Sequence, residues 1–335
     1  MVRFAIIGSG MVARYHATGI AQTPGAELAA VCVSRPARSA AAAATFGAPV
    51  THSLDEILAR TDIDAICLCT PSGLHATQAI AALRAGKHVL VEKPMALTLA
   101  DADAMITAAE SAERHLAIAL QRRTDPLFIG VQAALARGEY GQLTLGTVTV
   151  PYLRPQSYYD QAAWRGTWAL DGGGAVMNQG IHLLDLLLWF LGPVAAVQAI
   201  ATTQARDIEV EDTLCATLRF ACGALGSIVA TTTAAPGFAH RVEIYGTHGG
   251  IQIAGEQVVY DSLAPAPDSV SQQPADAGAG GSPTGISAIG HTRLIADLVD
   301  AIGNQRPPLV PGAEGRRSLE LVLQLYAAAG VAMIL

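Results

Sequence analysis

The stretch Arg3-Phe-Ala-Ile-Ile-Gly-Ser-Gly-Met-Val-Ala13 decides the fold of the first part of this chain. An apolar strand runs directly into the turn Gly8-Ser9-Gly10-Met11-Val12-Ala13, and a helix-like sequence follows. Gly8 permits a tight turn, Gly10 lets the backbone approach phosphates, and Ala13 lets the helix pack close to the strand. The free N–H groups at the helix start suit an anion. The stretch predicts a site for a nicotinamide or flavin dinucleotide, and a glycine-rich turn in another α/β protein is the alternative.

Composition limits the class of protein. The chain has 335 residues, enough for two domains with their own cores, and a formal net charge of −7 that argues against a nucleic-acid or anionic-membrane surface. The apolar run Leu183–Leu191 is about half a membrane span and contains Asp185, which indicates a buried helix. Because the first strand begins the chain, we expect no targeting peptide. The five cysteines show no CxxC and no metal spacing, so we expect reduced thiols, no metal and a cytoplasmic protein.

The first 120 residues alternate between strand and helix patterns. Strands are expected at 2–7, 27–33, 48–51, 65–69, 88–91 and 116–119, with helices between them at 11–22, 36–46, 53–60, 73–85 and 99–113. Runs such as Ala65–Cys69 are apolar throughout, which is typical of parallel strands buried on both faces. Residues 1–120 are therefore predicted to be a doubly wound, dinucleotide-binding Rossmann domain.

The pattern changes after residue 121. A helix at 126–138 and another at 174–191 accompany strands expected at 143–151, 194–203, 211–219, 224–232, 240–245, 250–253 and 257–260. Turns separate these strands, which indicates a mainly antiparallel sheet in a second α/β domain, 121–335, ending in helices at 291–302 and 313–332. The Pro-, Ser-, Gly- and Ala-rich loop 262–290 is unusually long; it is mobile, or it wraps a neighbour or the active-site mouth.

The end of the second strand bears on the choice of nicotinamide cofactor. An NAD site usually has Asp or Glu there, whereas this chain reads Ser34-Arg35-Pro36-Ala37-Arg38. Ser34 can hydrogen-bond a 2′-phosphate, and Arg35 and Arg38 can neutralise it. The loop therefore favours NADP over NAD, and a solvated basic loop is the plain alternative.

Glu92-Lys93-Pro94 ends a predicted sheet strand at its carboxyl edge, where ligands collect in such sheets, so we expect Glu92 and Lys93 to contact the cofactor. An ammonium there could hold a substrate hydroxyl and stabilise a developing alkoxide. A surface lysine paired with its neighbour explains the motif equally well.

Three polar residues, Asn178, His182 and Asp185, follow the segment Asp171-Gly-Gly-Gly174. On an α-helix they would project from one face among leucines, and such a stripe needs partners or a cavity. The glycines would let a ligand approach the helix start. His182 has a pKa suited to taking and returning a hydroxyl proton, although a satisfied core histidine is as good a reading. Asp185 would orient the imidazole or cap a buried network.

Aromatic residues interleaved with arginine precede that helix: Trp164 and Arg165, with Tyr152, Arg154, Tyr158 and Tyr159 before them. They suit a sugar or a phosphorylated ligand, and they suit a packed core edge almost as well. Thr70, Pro71 and His75 follow the fourth strand, where they could touch the cofactor.

Together these segments resemble the Gfo/Idh/MocA oxidoreductases over the whole chain. The resemblance rests on the GxGxxA turn, Cys69-Thr-Pro71 with His75, Glu92-Lys93-Pro94, Gly172-Gly-Gly174 with His182 and Asp185, and Arg306-Pro-Pro308. It implies a Rossmann domain, a second α/β domain with a large open antiparallel sheet, and hydride transfer between NAD(P) and a carbohydrate or cyclitol hydroxyl.

The resemblance also implies roles for single residues. Lys93 and His182 take the catalytic places, and Gln121, Trp164 and Arg165 match positions that contact the nicotinamide half or the substrate. Many members carry Asp where this chain has Asn178, which cannot accept a proton and would instead orient the substrate. Members acting on sugar nucleotides often look this way. His291 takes the place of a frequent late tyrosine and is a candidate for the substrate pocket.

The sequence therefore predicts an NADP-preferring sugar, cyclitol or sugar-nucleotide dehydrogenase. A redox-assisted lyase or glycosidase that recycles its cofactor, and a non-enzymatic cofactor-sensing protein, are the alternatives. An open sheet should present a broad, partly apolar face, so we also expect a homodimer or homotetramer formed by sheet stacking.

Overall fold

The computed structural model describes residues 1–264, 280–281 and 287–332. Its strands are β1 (Val2–Ile7), β2 (Ala26–Cys32), β3 (Val50–Thr51), β4 (Ala65–Leu68), β5 (His88–Val91), β6 (Leu116–Ile118), β7 (Leu143–Pro151), β8 (Val194–Thr202), β9 (Thr213–Phe220), β10 (Leu225–Thr231), β11 (Arg241–Gly246), β12 (Gly249–Ala254) and β13 (Gln257–Asp261). Its α-helices are α1 (Met11–Gln22), α2 (Ser39–Phe46), α3 (Leu54–Ala59), α4 (His75–Arg84), α5 (Leu99–Ala112), α6 (Pro126–Ala136), α7 (Gln156–Asp160), α8 (Ile181–Leu191), α9 (Ile289–Asn304) and α10 (Gly312–Ala328).

The chain divides into two compact units. Met1–Thr124 and Ser287–Arg316 form the first, and Asp125–Ile286 with Arg317–Leu335 form the second. The sequence assigned all of 121–335 to the second domain, whereas contacts group α9 with the first unit. Gly19 of α1 explains the close packing of α9, because a Cβ at Gly19 would lie 3.1 Å from the backbone of Thr292.

The first unit contains a six-stranded sheet in the order β3-β2-β1-β4-β5-β6, with every pairing parallel. The order reverses between β1 and β4, which is the topological switch point where such sheets bind ligands. All four residues of β4 are buried, as expected for a strand with helices on both faces of its sheet. The predicted doubly wound parallel sheet is confirmed.

The second unit contains a seven-stranded sheet in the order β13-β12-β11-β7-β10-β9-β8. β7 and β10 pair in parallel, and the other pairings are antiparallel. The apolar helix α8 packs against one face at Gly146, where a Cβ would lie 2.4 Å from the side chain of Leu191. On the other face, β9 exposes Cys215, so the sheet has one buried and one exposed side. The predicted mainly antiparallel sheet is confirmed.

Leu183–Leu191 belongs to α8 and is buried except for Trp189, which is partly exposed. Among the described helices, none has both the length and the apolar character that crossing a membrane requires. Most of the predicted loop 262–290, namely residues 265–279 and 282–286, lies outside the residues that the structure describes.

Candidate active site

The glycine turn after β1 is built for close approach. Gly8 has a φ of +108°, and a Cβ there would lie 2.5 Å from the carbonyl oxygen of Cys69. Gly10 caps α1 without a side-chain hydrogen bond, and a Cβ on it would meet no atom within 4 Å. The first turn of α1 carries no acidic residue. Ser9 and Val12 are partly exposed and Met11 is exposed, so this helix start suits a pyrophosphate.

The loop after β2 carries Ser34, Arg35 and Arg38, all of them exposed. Within the described ranges, neither guanidinium has an ion-pair or hydrogen-bond partner. Two uncommitted cations at this strand end fit a 2′-phosphate on the adenosine ribose.

His75 joins the loops that follow β4 and β5. It is buried, with Nδ1 2.8 Å from the carbonyl oxygen of Pro94 and Nε2 2.9 Å from that of Thr70. The sequence predicted that Thr70, Pro71 and His75 touch the cofactor. Thr70 and Pro71 are partly exposed at this edge, whereas both nitrogens of His75 contact backbone, so His75 shapes the two loops.

Glu92 lies in a buried cluster with two histidines of other helices. Its Oε1 is 2.8 Å from Nε2 of His16 on α1 and 3.2 Å from Nε2 of His291 on α9. The His291 ring also stacks on Tyr15, with 5.5 Å between centroids. The sequence placed His291 in the second domain's substrate pocket and Glu92 against the cofactor; the structure instead packs the two side chains together inside the first unit.

The donors around Glu92 determine its charge. Burial opposes ionisation, but hydrogen bonds from His16 and His291 outweigh it and hold the pKa of Glu92 well below its usual range. Burial also lowers the pKa of His16, so a neutral imidazole presents Nε2–H to a carboxylate that can only accept. Candidate ligand atoms of the three side chains lie within 4.8 Å of one another, a cluster that the sequence could not suggest because its members are far apart along the chain.

Lys93 follows β5 at the carboxyl edge of the sheet and is partly exposed. Its backbone N–H lies 3.4 Å from Oε2 of Glu92, so the buried cluster holds the segment from which Lys93 projects. Gln121, in a 3₁₀ turn after β6, has a buried side-chain oxygen without a hydrogen-bond partner among the described residues. Such an oxygen fits the carboxamide N–H of a nicotinamide.

In the second unit, the predicted single α-helix over 174–191 is wrong at its start. Ala175–Gly180 is a π-helix that leads into α8. Its i→i+5 pattern offsets Asn178 from the face that a continuous α-helix would give it. Asp185 is fully buried and accepts a hydrogen bond of 2.7 Å from Ser318, while Asn178 and His182 are partly exposed. Asn178, His182 and Asp185 therefore do not share one helix face with similar exposure, contrary to what the sequence predicted.

Asn178 is fixed by its neighbours. Its side-chain amide donates to Asp171, and its oxygen accepts a hydrogen bond of 2.9 Å from Gln179. Asp171 is buried and also accepts from the backbone N–H of Gly166 at 2.9 Å. The carboxamide is therefore held in one orientation, as a group that positions a ligand must be.

Arg165 is the more accessible of the two predicted arginines. Its guanidinium carbon lies 4.0 Å from the ring centroid of Tyr158 and 5.3 Å from that of Trp164. Its Nε and one terminal nitrogen are buried without hydrogen-bond partners among the described residues, although the residue is partly exposed. Such unused donors suit a ligand oxygen.

The two other predicted substrate contacts are buried. The Tyr152 hydroxyl lies 3.0 Å from Nδ1 of His240, and Arg154 donates to the carbonyl oxygen of Leu153 at 2.7 Å. Arg154 is 2% exposed. These contacts give both residues a place in the interior of the second unit.

The sequence reasoning missed His16, Glu211 and Tyr326. His16 shares the buried face of α1 with Ala13 and Ile20, and a histidine on such a face needs a partner. Glu211 is 3% exposed and binds the glycine segment before the π-helix. The sequence signal that could have revealed Glu211 is the acidic pair Glu211-Asp212 directly before β9.

Comparisons with known proteins identify the family of this chain. Residues 2–120 match the model of an oxidoreductase family with an NAD-binding Rossmann fold, and residues 128–252 match that of the GFO/IDH/MocA C-terminal domain. The chain is 29% identical to inositol 2-dehydrogenase of Rhizobium meliloti (strain 1021) over 78% of each protein. It is 32% identical to 1,5-anhydro-D-fructose reductase of Ensifer adhaerens over 75% of each.

A solved structure extends the likeness to nearly the full length. The WlbA dehydrogenase from Bordetella pertussis, in complex with NADH and UDP-GlcNAcA, superposes with a TM-score of 0.87 at 36% identity, covering 98% of this chain and 96% of that one. With its Rossmann sheet, glycine turn and matching C-terminal domain, this chain belongs to the Gfo/Idh/MocA family of oxidoreductases.

Proposed function

We propose that this protein oxidises a secondary hydroxyl of a sugar nucleotide, or reduces the corresponding ketone, with a nicotinamide dinucleotide as its cofactor. The observation that carries the proposal is the position of Lys93. It follows β5, whose neighbour β4 borders the switch point and the glycine turn of β1. An ammonium at this edge of the sheet is where a hydroxyl presented to the nicotinamide would need it.

Each candidate residue has a distinct role in this proposal. The ammonium of Lys93 stabilises the alkoxide that develops on the substrate oxygen, and His182 takes the hydroxyl proton. Asn178, oriented by Asp171 and Gln179, positions the sugar. A bound nicotinamide dinucleotide would supply the hydride acceptor. In the reductive direction the proton returns from His182 to the substrate oxygen.

Two observations support a sugar nucleotide within the wider class of sugars and cyclitols. Asn178 stands where many family members carry Asp, and sugar-nucleotide members often share this feature. The full-length relative at 36% identity was crystallised with UDP-GlcNAcA. Arg165, with buried donors available, is the residue we assign to an anionic or carbonyl oxygen of the bound ligands.

Turnover tests this proposal. The pure protein with NADP⁺ or NAD⁺ is offered UDP-sugars, free sugars and inositols, and absorbance at 340 nm is followed together with product formation. We expect reduced cofactor to appear in step with a keto product, fastest with a UDP-sugar. Product without net reduction of cofactor would establish the redox-assisted lyase or glycosidase, and cofactor binding without any turnover would establish a sensing protein.

We propose NADP as the preferred cofactor, because the segment after β2 has no carboxylate to bind the ribose hydroxyls. It has instead Ser34, Arg35 and Arg38, which can bind a 2′-phosphate. Reversing one charge, Arg35→Asp, should weaken NADP⁺ binding at least tenfold and leave NAD⁺ binding nearly unchanged, since one charge-assisted contact is lost. Fluorescence titration with both dinucleotides measures this. An unchanged NADP⁺ affinity would remove the argument.

We also propose that the chain forms a homodimer or homotetramer through the exposed face of the second sheet. This face carries apolar side chains, among them Ile200 at 78% exposure and Leu225 at 56%. Stacking against a second copy would cover them. Elution from a size-exclusion column at the mass of one chain would contradict this.

A further inference from the structure

A buried carboxylate holds the start of the π-helix in the second unit. Oε2 of Glu211 accepts a hydrogen bond of 2.9 Å from the backbone N–H of Gly174, and Oε1 accepts one of 2.9 Å from that of Val176. The backbone carbonyl of Glu211 accepts from Ala175 at 3.1 Å. One residue therefore satisfies three successive amides that a helix start leaves without intrahelical partners.

Tyr326 of α10 closes the other side of this carboxylate. Its hydroxyl lies 3.0 Å from each oxygen of Glu211, and its ring meets Trp168 edge to face at 5.5 Å. Tyr326 is 1% exposed. The phenol donates to a carboxylate that already binds two amides, so both oxygens of Glu211 have assigned partners.

The two contacts account for two of the three glycines in the Asp171-Gly-Gly-Gly174 segment. A Cβ at Gly174 would lie 1.8 Å from the carbonyl oxygen of Glu211, and one at Gly173 would lie 2.1 Å from the Tyr326 hydroxyl. The sequence interpreted these glycines as room for a ligand. In the structure, the room at Gly173 and Gly174 is taken by Tyr326 and Glu211.

The segment held in this way carries the candidate catalytic residues. Asn178 lies inside the π-helix, and His182 follows in the first turn of α8. Within the π-helix, the side chain of Asn178 is bonded to Asp171. A π-helix is uncommon and is often found at functional sites, and here two carboxylates hold it, Glu211 at its start and Asp171 at Asn178.

We propose that Glu211 and Tyr326 are positioning residues, which fix the π-helical turn so that the imidazole of His182 and the carboxamide of Asn178 are held in their working orientation. This inference rests on the proposed role of His182. Neither residue touches the reacting atoms in this account, and their effect reaches the substrate only through the backbone of residues 174–182.

Two variants test the inference, each with a matched control. Glu211→Gln keeps the shape but replaces one acceptor by an N–H donor, and Tyr326→Phe removes one hydroxyl. Asp212→Asn is the control for the first, because Asp212 is fully buried and adjacent but binds the amides of Gln204 and Ala205 instead. Tyr140→Phe is the control for the second, because that buried phenol donates to Asp261.

The kinetic experiment measures kcat and KM separately for each variant, at a temperature where all variants are folded. We expect Glu211→Gln to lower kcat roughly 10- to 100-fold, the scale of a small misplacement of a catalytic group, with KM and cofactor affinity within about threefold of wild type. Tyr326→Phe should lower kcat by less, and both controls should retain wild-type kcat. Equal losses in variants and controls, or unchanged kcat in Glu211→Gln, would overturn the inference.

A substrate-independent readout separates this inference from the proposed function. In protein labelled at histidine ring carbons, the His182 resonance is assigned by its loss in His182→Gln. We expect that resonance to move in Glu211→Gln and Tyr326→Phe and to stay in place in the two controls. If it moves while no substrate turns over, the positioning stands and the proposed function fails. If it does not move, the positioning is wrong whatever the activity.

Discussion

Two buried glutamates, one in each unit, differ in what surrounds them. Glu92 accepts from two imidazoles, His16 at 2.8 Å and His291 at 3.2 Å, and these bonds hold its pKa well below the usual range against the effect of burial. Glu211 accepts from two backbone amides and a phenol, and burial raises its pKa to about 7 because these donors offset it only in part. Burial alone therefore does not set the charge of a carboxylate; the donors around it decide.

The difference bears on the backbone segment that each glutamate holds. Glu92 is ionised throughout the neutral range, so the segment before Lys93 has a constant anchor. Glu211 changes protonation near neutral pH, and its protonated form has one acceptor fewer for the amides of Gly174 and Val176. We expect the segment before Lys93 to be insensitive to pH and the segment at Gly174–Val176 to respond to it.

Among the effects on stability, the largest we expect is on its pH dependence. The folded Glu211 keeps its proton up to about pH 7, whereas the unfolded group releases it near 4.5, so its contribution falls as pH rises through this interval. From about pH 5 to pH 8, this group should lower the free energy of unfolding of the wild-type protein by roughly 2–3 kcal/mol. The Glu211→Gln variant has no such group and should lack this part of the fall. Urea unfolding of both proteins at the two pH values measures it, and parallel pH profiles would contradict the assignment.

Glu92 should behave in the opposite sense. Its lowered folded pKa contributes stability above the unfolded value of about 4.5, and the contribution is lost on acidification. At neutral pH, Glu92→Gln should cost about 2 kcal/mol of unfolding free energy, because the new amide directs a donor at buried donors. Urea unfolding at pH 7 measures this loss. A variant as stable as wild type would show that the two histidines do not depend on the carboxylate.

The smallest effect distinguishes the two histidines. His16→Leu should cost about 2 kcal/mol and His291→Leu about 1 kcal/mol, because the His16 bond is shorter and its side chain is the more buried. His16→Gln, which keeps a donor, should recover part of the loss. Unfolding midpoints in urea compare the three variants. A larger loss for His291→Leu would reverse the order of the two bonds.

Local sequence was sufficient for the first sheet and its glycine turn. The strand of Val2–Ile7, the open turn at Gly10 and the start of α1 depend on residues within about ten positions of one another. The strand patterns of the second sheet were also readable, because β9 and β10 alternate between a buried and an exposed face.

The remaining features depend on contacts between residues far apart in the chain. The π-helix over Ala175–Gly180 is held by Glu211 and Tyr326, and no pattern within 174–191 distinguishes it from an α-helix. His291 was assigned to the second domain by its position in the chain, whereas Gly19 lets α9 pack on α1 and brings His291 to Glu92. Sequence spacing could not anticipate either arrangement.

The central claim is that Lys93 and His182 act on the substrate hydroxyl, and single-turnover reduction of cofactor at 340 nm tests it most directly. We predict that Lys93→Met and His182→Ala each slow this step roughly 10²- to 10⁴-fold, while NADP⁺ affinity stays within about threefold of wild type. A wild-type rate in either variant would contradict the role assigned to that residue.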